Sequence, residues 1–275
     1  MNNRIKLDRE KETLLIPLYG KARESRKKTP VLYDHKALEI VEKIEYEFES
    51  LKIPVKTNTM MCLRAKLMDN FVKEFLKGNK ESNKSCVILH LGCGLDSRCV
   101  RIDDPETDWY DLDYKKVIDI RRIFFPETDN YHLIPSSVTA SEWIERIPAG
   151  EEHYLVVAEG LFMYLKEEEI KDLLFSIKKR LGQYTLIFDA YSVYTARKVK
   201  NHPSLKKTGA EIHWGIDHPE ELTRWDPGIE LMDEIFFTSN EEIDKLGSGT
   251  KLMYRIADLF PIARKAHRIL IYKIK

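Results

Sequence analysis

Two periodicities divide the chain. Over residues 34–48, Ala37, Ile40, Val41, Ile44 and Phe48 recur three or four positions apart, the spacing that lines up side chains on one face of a helix. Asp34 stands ahead of them as a candidate N-cap. Pro54 interrupts the pattern, and Leu63, Leu67, Phe71 and Phe75 then mark one face of a second helix, expected from about Thr59 to Lys77. Before both comes Thr13 to Ser25, with Leu14, Leu15, Ile16 and Leu18 around Pro17. That segment is too apolar for a free tail, and we expect it to fold back as a lid. Residues 1–80 thus read as a helical cover.

From residue 86 the pattern changes to short apolar runs at 86–91, 108–112, 131–134, 153–158 and 184–189. Helical stretches fill the gaps, most clearly Lys166 to Leu181, with Ile170, Leu173, Leu174, Ile177 and Leu181 on one face. Strand alternating with helix predicts βαβ units and a parallel sheet. After Asp189 the segment 191–230, rich in Trp, His, Pro and Gly, reads as irregular or inserted. Runs at Ile229–Phe237 and His267–Ile274 follow, separated by a helix near Lys251–Ala266, and predict a hairpin-like edge. The expectation is an α/β fold: a seven-stranded, mostly parallel, doubly wound sheet over 81–275, packed with the 1–80 lid as one unit. The chain carries no internal repeat and no low-complexity tract.

Composition narrows the function. A chain of 275 residues suffices for one large domain or two small ones. The 45 Lys+Arg balance 45 Asp+Glu, so no net field grips nucleic acid or an anionic membrane. The runs Arg26-Lys27-Lys28 and Lys77 to Lys84 are short or interrupted and read as solvated faces. No stretch approaches the roughly 20 apolar residues of a bilayer span, and the N-terminus has no signal-peptide core. A cytoplasmic protein is expected. Cys62, Cys86, Cys93 and Cys99 fit no paired-thiolate zinc motif; we expect reduced thiols and no metal. Oligomeric state leaves no mark on the pattern.

Candidate chemistry centres on Cys86 to Asp96, a strand-length apolar run followed by the turn Gly92-Cys93-Gly94. A helix start at Ser97–Val100 completes the strand–turn–helix unit by which α/β proteins hold nucleotides. About 20 residues on, where such folds place the acid that takes ribose hydroxyls, stand Asp111 and Asp113, with Leu112 between them. A dinucleotide fingerprint wants a third glycine, and here that place is Ser97. Asp96, within the turn, would repel a pyrophosphate. Both features argue against a nicotinamide-dependent oxidoreductase and favour a cationic or zwitterionic ligand such as S-adenosylmethionine, which has no phosphate. Glu159 ends the fourth predicted strand at the carboxyl edge, where open α/β sheets bind ligands. A non-catalytic binding module of the same fold is the other alternative, opposed by these retained acids.

Leu91-Gly92-Cys93-Gly94-Leu95-Asp96-Ser97-Arg98 resembles the L-G-A-G-L-D-T-R segment of the leucine carboxyl methyltransferase family. Trp109 to Asp113, Val117-Ile118 through Pro126, Ser136 to Thr139, and Ala158 to Leu165 continue the likeness in order, as do Thr13-Leu14-Leu15 and Lys21 to Ser25. The likeness is strongest to the bacterial, tetracenomycin-type polyketide-synthesis O-methyltransferases. It implies a class I methyltransferase sheet that uses S-adenosylmethionine and releases S-adenosylhomocysteine. By position, Gly92, Gly94 and Asp96 would wrap the methionine part, Asp111 or Asp113 the ribose, and Ser137 and Val138 the adenine edge. Arg64 would hold the cofactor carboxylate, with Lys21 assisting from the lid, although Ala65 stands where the family often has threonine. The resemblance does not carry the acceptor over; we expect a small molecule bearing a carboxylate or phenol. Tyr164, Tyr191, His213 and Asp189 are the candidate catalytic groups, and the aromatic density of Phe162, Tyr194 and Trp214 around them predicts an apolar pocket.

Overall fold

The computed structural model describes residues 5–6, 12–82, 84–150, 152–199 and 210–275. Its main sheet contains β1 (Cys86–Leu91), β2 (Asp108–Asp113), β3 (Tyr131–Pro135), β4 (His153–Ala158), β5 (Tyr184–Tyr191), β6 (Ile229–Phe236) and β7 (His267–Ile274). Their order is β3-β2-β1-β4-β5-β7-β6. The first five are mutually parallel, and β7 runs antiparallel between β5 and β6. The strand order reverses between β1 and β4, which opens a crevice at their carboxyl ends.

Around the sheet lie α1 (Glu12–Ser25), α2 (His35–Lys43), α3 (Val55–Glu81), α4 (Arg98–Ile102), α5 (Lys115–Phe124) and α6 (Glu167–Leu181). Shorter helices follow: α7 (Val193–Val199), α8 (Glu220–Thr223), α9 (Ser248–Asp258) and α10 (Pro261–Arg264). Alternate strand residues feed two cores. Val87, Leu89 and Leu91 share one cluster with Ile170, Leu174 and Ile177 of α6, while Ile88, Leu155 and Ile187 pack with Leu63, Leu67 and Met68 of α3. Both faces are covered, which is why the strands read as continuous apolar runs. A third cluster joins Leu15, Leu18 and Ala22 of α1 to Ile40 of α2 and Phe124 of α5. Helix α1 crosses α3 so closely that a Cβ on Gly20 would come 2.7 Å from Asn58 Oδ1.

Prolines and backbone pairing account for the departures from expectation. Pro54 is the extended residue before α3, so that helix starts at Val55 rather than near Thr59. Helix α2 stops at Lys43 because Ile44 turns extended, and Phe48 lies in a 3-10 turn. The helix expected near 251–266 is split: Phe260, ahead of Pro261, is extended (φ −109°, ψ 112°), and Pro261 begins α10. The last two strands pair antiparallel at the outer edge of the sheet, as expected, with β7 lying against β5 and β6 outermost. Within 191–230, α7, α8 and the buried Ile212, Trp214 and Ile216 are ordered onto the core, and 200–209 lie outside the described residues. No helix among the described residues is long and apolar enough to cross a membrane.

Candidate active site

Gly92 and Gly94 take left-handed φ angles of +64° and +53°, conformations open to glycine at little steric cost. The turn is tied to the end of β2: Cys93 N–H donates to Leu112 O at 3.1 Å and Gly94 N–H to Asp113 Oδ2 at 2.8 Å. A Cβ on Gly94 would meet only Leu14 Cδ2, at 3.5 Å. The backbone of the turn therefore faces a gap roofed by α1.

That gap is a cavity of about 520 Å³ at the carboxyl edge of the sheet. The glycine turn, Asp113 and Glu159 form its floor, and Leu14, Lys21 and Arg64 close it from α1 and α3. A second cavity, about 620 Å³, opens beside Phe125 and Asn130 at the amino ends of β2 and β3 and touches none of the expected site residues. The carboxyl-edge cavity is the one that gathers the chemistry, despite being smaller.

Beneath it runs a network of buried charge. Asp96 pairs with Lys21 at 2.9 Å and Arg101 at 2.7 Å. Arg101 also reaches Asp34 and Asp69, each at 2.7 Å, and Arg98 reaches Asp69 at 2.7 Å and Glu159. Arg64 bridges Glu159 at 3.0 Å and Asp189 at 2.9 Å. Such pairs hold only when nearly every lone pair and proton is used, and here one is left over. Asp96 Oδ2 is buried without a hydrogen-bond partner among the described residues, its facing charge being Arg98 Nη2 at 3.6 Å. Burial alone would raise Asp96, but Arg101, Lys21 and Arg98 outweigh it and hold the acid well below the usual carboxylate range. Burial also opposes ionisation of Glu159, and Arg64, Lys21 and Arg98 bring it down to about 2.

Lys21, Arg64, Gly92, Gly94, Asp96, Asp113, Val138, Glu159, Tyr164 and Tyr191 all border the cavity. Asp111 does not. It is fully buried behind the turn, taking Trp109 Nε1 at 2.9 Å and Arg121 Nε at 2.9 Å, facing His90 Nδ1 at 3.0 Å and bonded by Tyr131. Leu112 is buried in the α6-side core, and Ser137 binds Thr139 Oγ1 at 2.8 Å while its neighbour Ser136 borders the cavity. His213 lies off the cavity lining beside Glu211 at 3.8 Å, its backbone N–H bound to Met163 O at 2.8 Å. Asp189 is buried under Arg64 rather than open to a substrate.

Ile16 and Pro17 of the apolar segment at 13–25 line the cavity, while sequence reading missed Tyr114, Leu161 and His90 at the cavity and Asp69 and Arg101 beneath it. Arg98 and Arg101 had a signal: they sit one helical turn apart just after the glycine turn. Asp69 had none, being an acid within an apolar stripe.

The cavity suits S-adenosylmethionine. Asp96 Oδ2 offers an unmet acceptor to an ammonium, the bare turn admits close approach, and Asp113 and Val138 border the same space. The model of the leucine carboxyl methyltransferase family matches residues 15–178. The chain is 34% identical to the tetracenomycin polyketide synthesis O-methyltransferase TcmP of Streptomyces glaucescens, over 99% of each chain. It is 28% identical to the S-adenosylmethionine-dependent methyltransferase dpfgK of Gibberella zeae, over 94% of this chain and 93% of that one. Its fold is shared with a DUF574-family protein of Streptomyces avermitilis (TM-score 0.61, 11% identity, 98% and 100% covered). It is shared too with magnesium protoporphyrin IX methyltransferase of Synechocystis with bound S-adenosylhomocysteine (TM-score 0.51, 10% identity, 81% and 88% covered). The chain belongs to the leucine carboxyl methyltransferase family and is an S-adenosylmethionine-dependent methyltransferase.

Proposed function

We propose that the enzyme methylates an oxygen of a small, largely apolar molecule bearing a carboxylate or an acidic phenol, in the manner of polyketide tailoring. The observation that carries this reading is the single cavity in which the glycine turn, Asp96, Asp113, Glu159 and Arg64 meet an apolar wall of Leu14, Met60 and Met163. The nearly full-length likeness to TcmP supports a small-molecule acceptor.

In this reading Arg64 forks onto the cofactor carboxylate, with Lys21 beside it. Asp96 and Glu159 accept from the ammonium, and Gly92 and Gly94 give the methionine chain room. Asp113 takes the ribose hydroxyls, and Val138, with Leu112 and Ser137 behind it, sets the adenine edge. Asp111 acts on the ribose only indirectly, by fixing Arg121, which binds Gly94 O at 3.1 Å and Asp96 O at 2.7 Å. When bound, the cofactor supplies an electrophilic methyl on its sulfonium. The chain then has to align the acceptor and exclude water, and α1 with α3 provides the roof. Burial pushes Tyr191 up to about 12 and lifts Tyr164 above its ordinary value. Both stay protonated at neutral pH and serve as donors to the acceptor, so the nucleophilic oxygen arrives already ionised. His213 would reach the acceptor only from the 191–230 side. We read residues 1–80 as the lid and 81–275 as the catalytic core of one unit. The four free thiols, Cys62, Cys86, Cys93 and Cys99, accord with a cytoplasmic setting.

The test has two parts. S-adenosylhomocysteine at 100 times its Kd should stabilise the protein by about 2.7 kcal/mol in thermal melts, and NAD should leave the melting point in place. A labelled-methyl screen over aromatic acids, phenols and amines should then label acids or phenols. A melting shift with NAD alone, or methyl transfer confined to amines, overturns the proposal.

A further inference from the structure

One buried histidine stands a step behind the cavity. His267 opens β7 and is paired in register with Tyr191 of β5. Its side chain thus shares a sheet face with Tyr191 and, two residues along β5, with Asp189. His267 Nε2 meets Asp189 Oδ2 at 2.6 Å. The same oxygen accepts from Arg64 Nη1 at 2.9 Å, and Asp189 Oδ1 accepts from Gly160 N–H at 2.5 Å. The imidazole is wedged between Tyr191 and Phe237, with ring centroids 4.5 and 4.8 Å away. Its Nδ1 is buried with no hydrogen-bond partner among the described residues.

These contacts fix the tautomer. Asp189 Oδ2 can only accept, so Nε2 carries the proton, and the orphaned Nδ1 is the bare nitrogen of a neutral ring. Burial lowers the pKa of His267 despite the facing carboxylate, which keeps it neutral. A neutral donor orients Asp189 without cancelling its charge, and that charge remains for Arg64. Arg64 in turn donates Nε to Glu159 Oε1 at 3.0 Å and Nη1 to Asp189 Oδ2, with Nη2 lying 3.0 Å from the same Glu159 oxygen. Two of its five N–H groups are hydrogen-bonded, and each terminal nitrogen keeps an N–H to give. That pair is the fork a carboxylate matches.

We infer that His267 is a positioning residue for cofactor binding: its Nε2–H holds Asp189, and Asp189 holds Arg64 turned to receive the carboxylate of the methionine end. This rests on the reading of Arg64 given above. A phenylalanine would fill the same wedge, so what the histidine adds is one N–H.

The experiment measures the calorimetric Kd of two ligands for the full chain: S-adenosylhomocysteine, and 5′-methylthioadenosine, which lacks the amino-acid end. H267F should weaken S-adenosylhomocysteine about tenfold and leave 5′-methylthioadenosine within about twofold, the loss of one charge-assisted hydrogen bond acting through Arg64. H267Q, whose amide can donate from nearly the same place, should restore S-adenosylhomocysteine to within about threefold of the parent. Should H267F not fold, H267N carries the test, its amide being too short to reach Asp189. Equal weakening of both ligands means a merely structural role and overturns the inference, as does unchanged S-adenosylhomocysteine affinity in H267F. Arg64→Ala separates the two layers. If it weakens only S-adenosylhomocysteine while H267F weakens neither ligand, the reading of Arg64 stands and the role of His267 falls. If Arg64→Ala leaves the preference for S-adenosylhomocysteine intact, the reading of Arg64 falls and the inference with it.

Discussion

Asp111 and Asp113 lie on one face of β2, two residues apart, and their surroundings could hardly differ more. Asp111 is enclosed by His90, Trp109, Arg121 and Tyr131, whereas Asp113 takes two backbone N–H groups and borders the cavity. Replacing Asp111 by Ala would strand Arg121 as a buried, unpaired charge. The expected loss is about 3–5 kcal/mol of stability, read from the urea midpoint. Asp113→Ala should leave the midpoint nearly in place and weaken S-adenosylhomocysteine by more than about tenfold, the loss of charged hydrogen bonds to ribose. Spacing along the chain pointed to both acids and could not choose, because positions two apart in a strand share a face. The choice is made by Arg121, which a helical turn in α5 delivers from another element. Acid pH tests the same network. Asp96 and Asp189 are held low, and Asp111 and Glu159 come down to about 2. As the pH falls, the unfolded chain takes up these protons first. The stability the four acids lend is full above about pH 5 and is lost from there toward about pH 2. His267, kept neutral by burial, adds a shallower fall beginning near pH ~6.5, its unfolded value. Midpoints measured across this range should drop steeply below about pH 5 in the parent. The shallower part alone should vanish in H267Q.

At the scale of elements, α1 shows what an apolar segment can reveal and what it cannot. Leu15, Leu18 and Ala22 mark it as buried, and that it packs on the rest of the chain could be read from that alone. Its seat could not, because the seat depends on Gly20 meeting Asn58 and Met61 of α3 and on Lys21 meeting Asp96. Gly20→Val should force these helices apart, since a Cβ at 2.7 Å from Asn58 Oδ1 and 3.0 Å from Met61 Cε already needs one side to move. The expected result is a loss of about 1–3 kcal/mol from overpacking and faster proteolysis within residues 12–25, both relieved by adding Asn58→Ala. Unchanged proteolysis would show that the helices close by another route. The breaks around Pro54 and Pro261 were the other partly legible features. A proline announces a boundary, but the shift of α3 to Val55 and the splitting of α9 from α10 follow from which side of it the chain turns extended.

At the scale of the whole molecule, every strand of the main sheet was marked in the sequence, as was the edge formed by the last two, and which of those two lies outermost was not. Burial on both faces leaves a clear local signal. Insertion of β7 between β5 and β6 is a long-range pairing with no local mark. It also sets a timetable. The strands that β7 joins are complete well before it in the chain, yet β6 has no other neighbour in the sheet until His267–Ile274 arrives. During synthesis the ribosome releases β1 to β6 first, and the nascent protein waits with an open sheet edge, the kind of surface that aggregates or recruits chaperones. A chain ending before His267 should therefore be insoluble rather than merely inactive, as measured by its soluble fraction on expression. Because the strand that closes the sheet is also the one that brings His267 to Asp189, a half-made chain lacks the contact we infer to hold Asp189 and Arg64 toward the methyl donor's acid end. In that reading, completion of the sheet and completion of the cofactor's acid-end seat fall to the same strand.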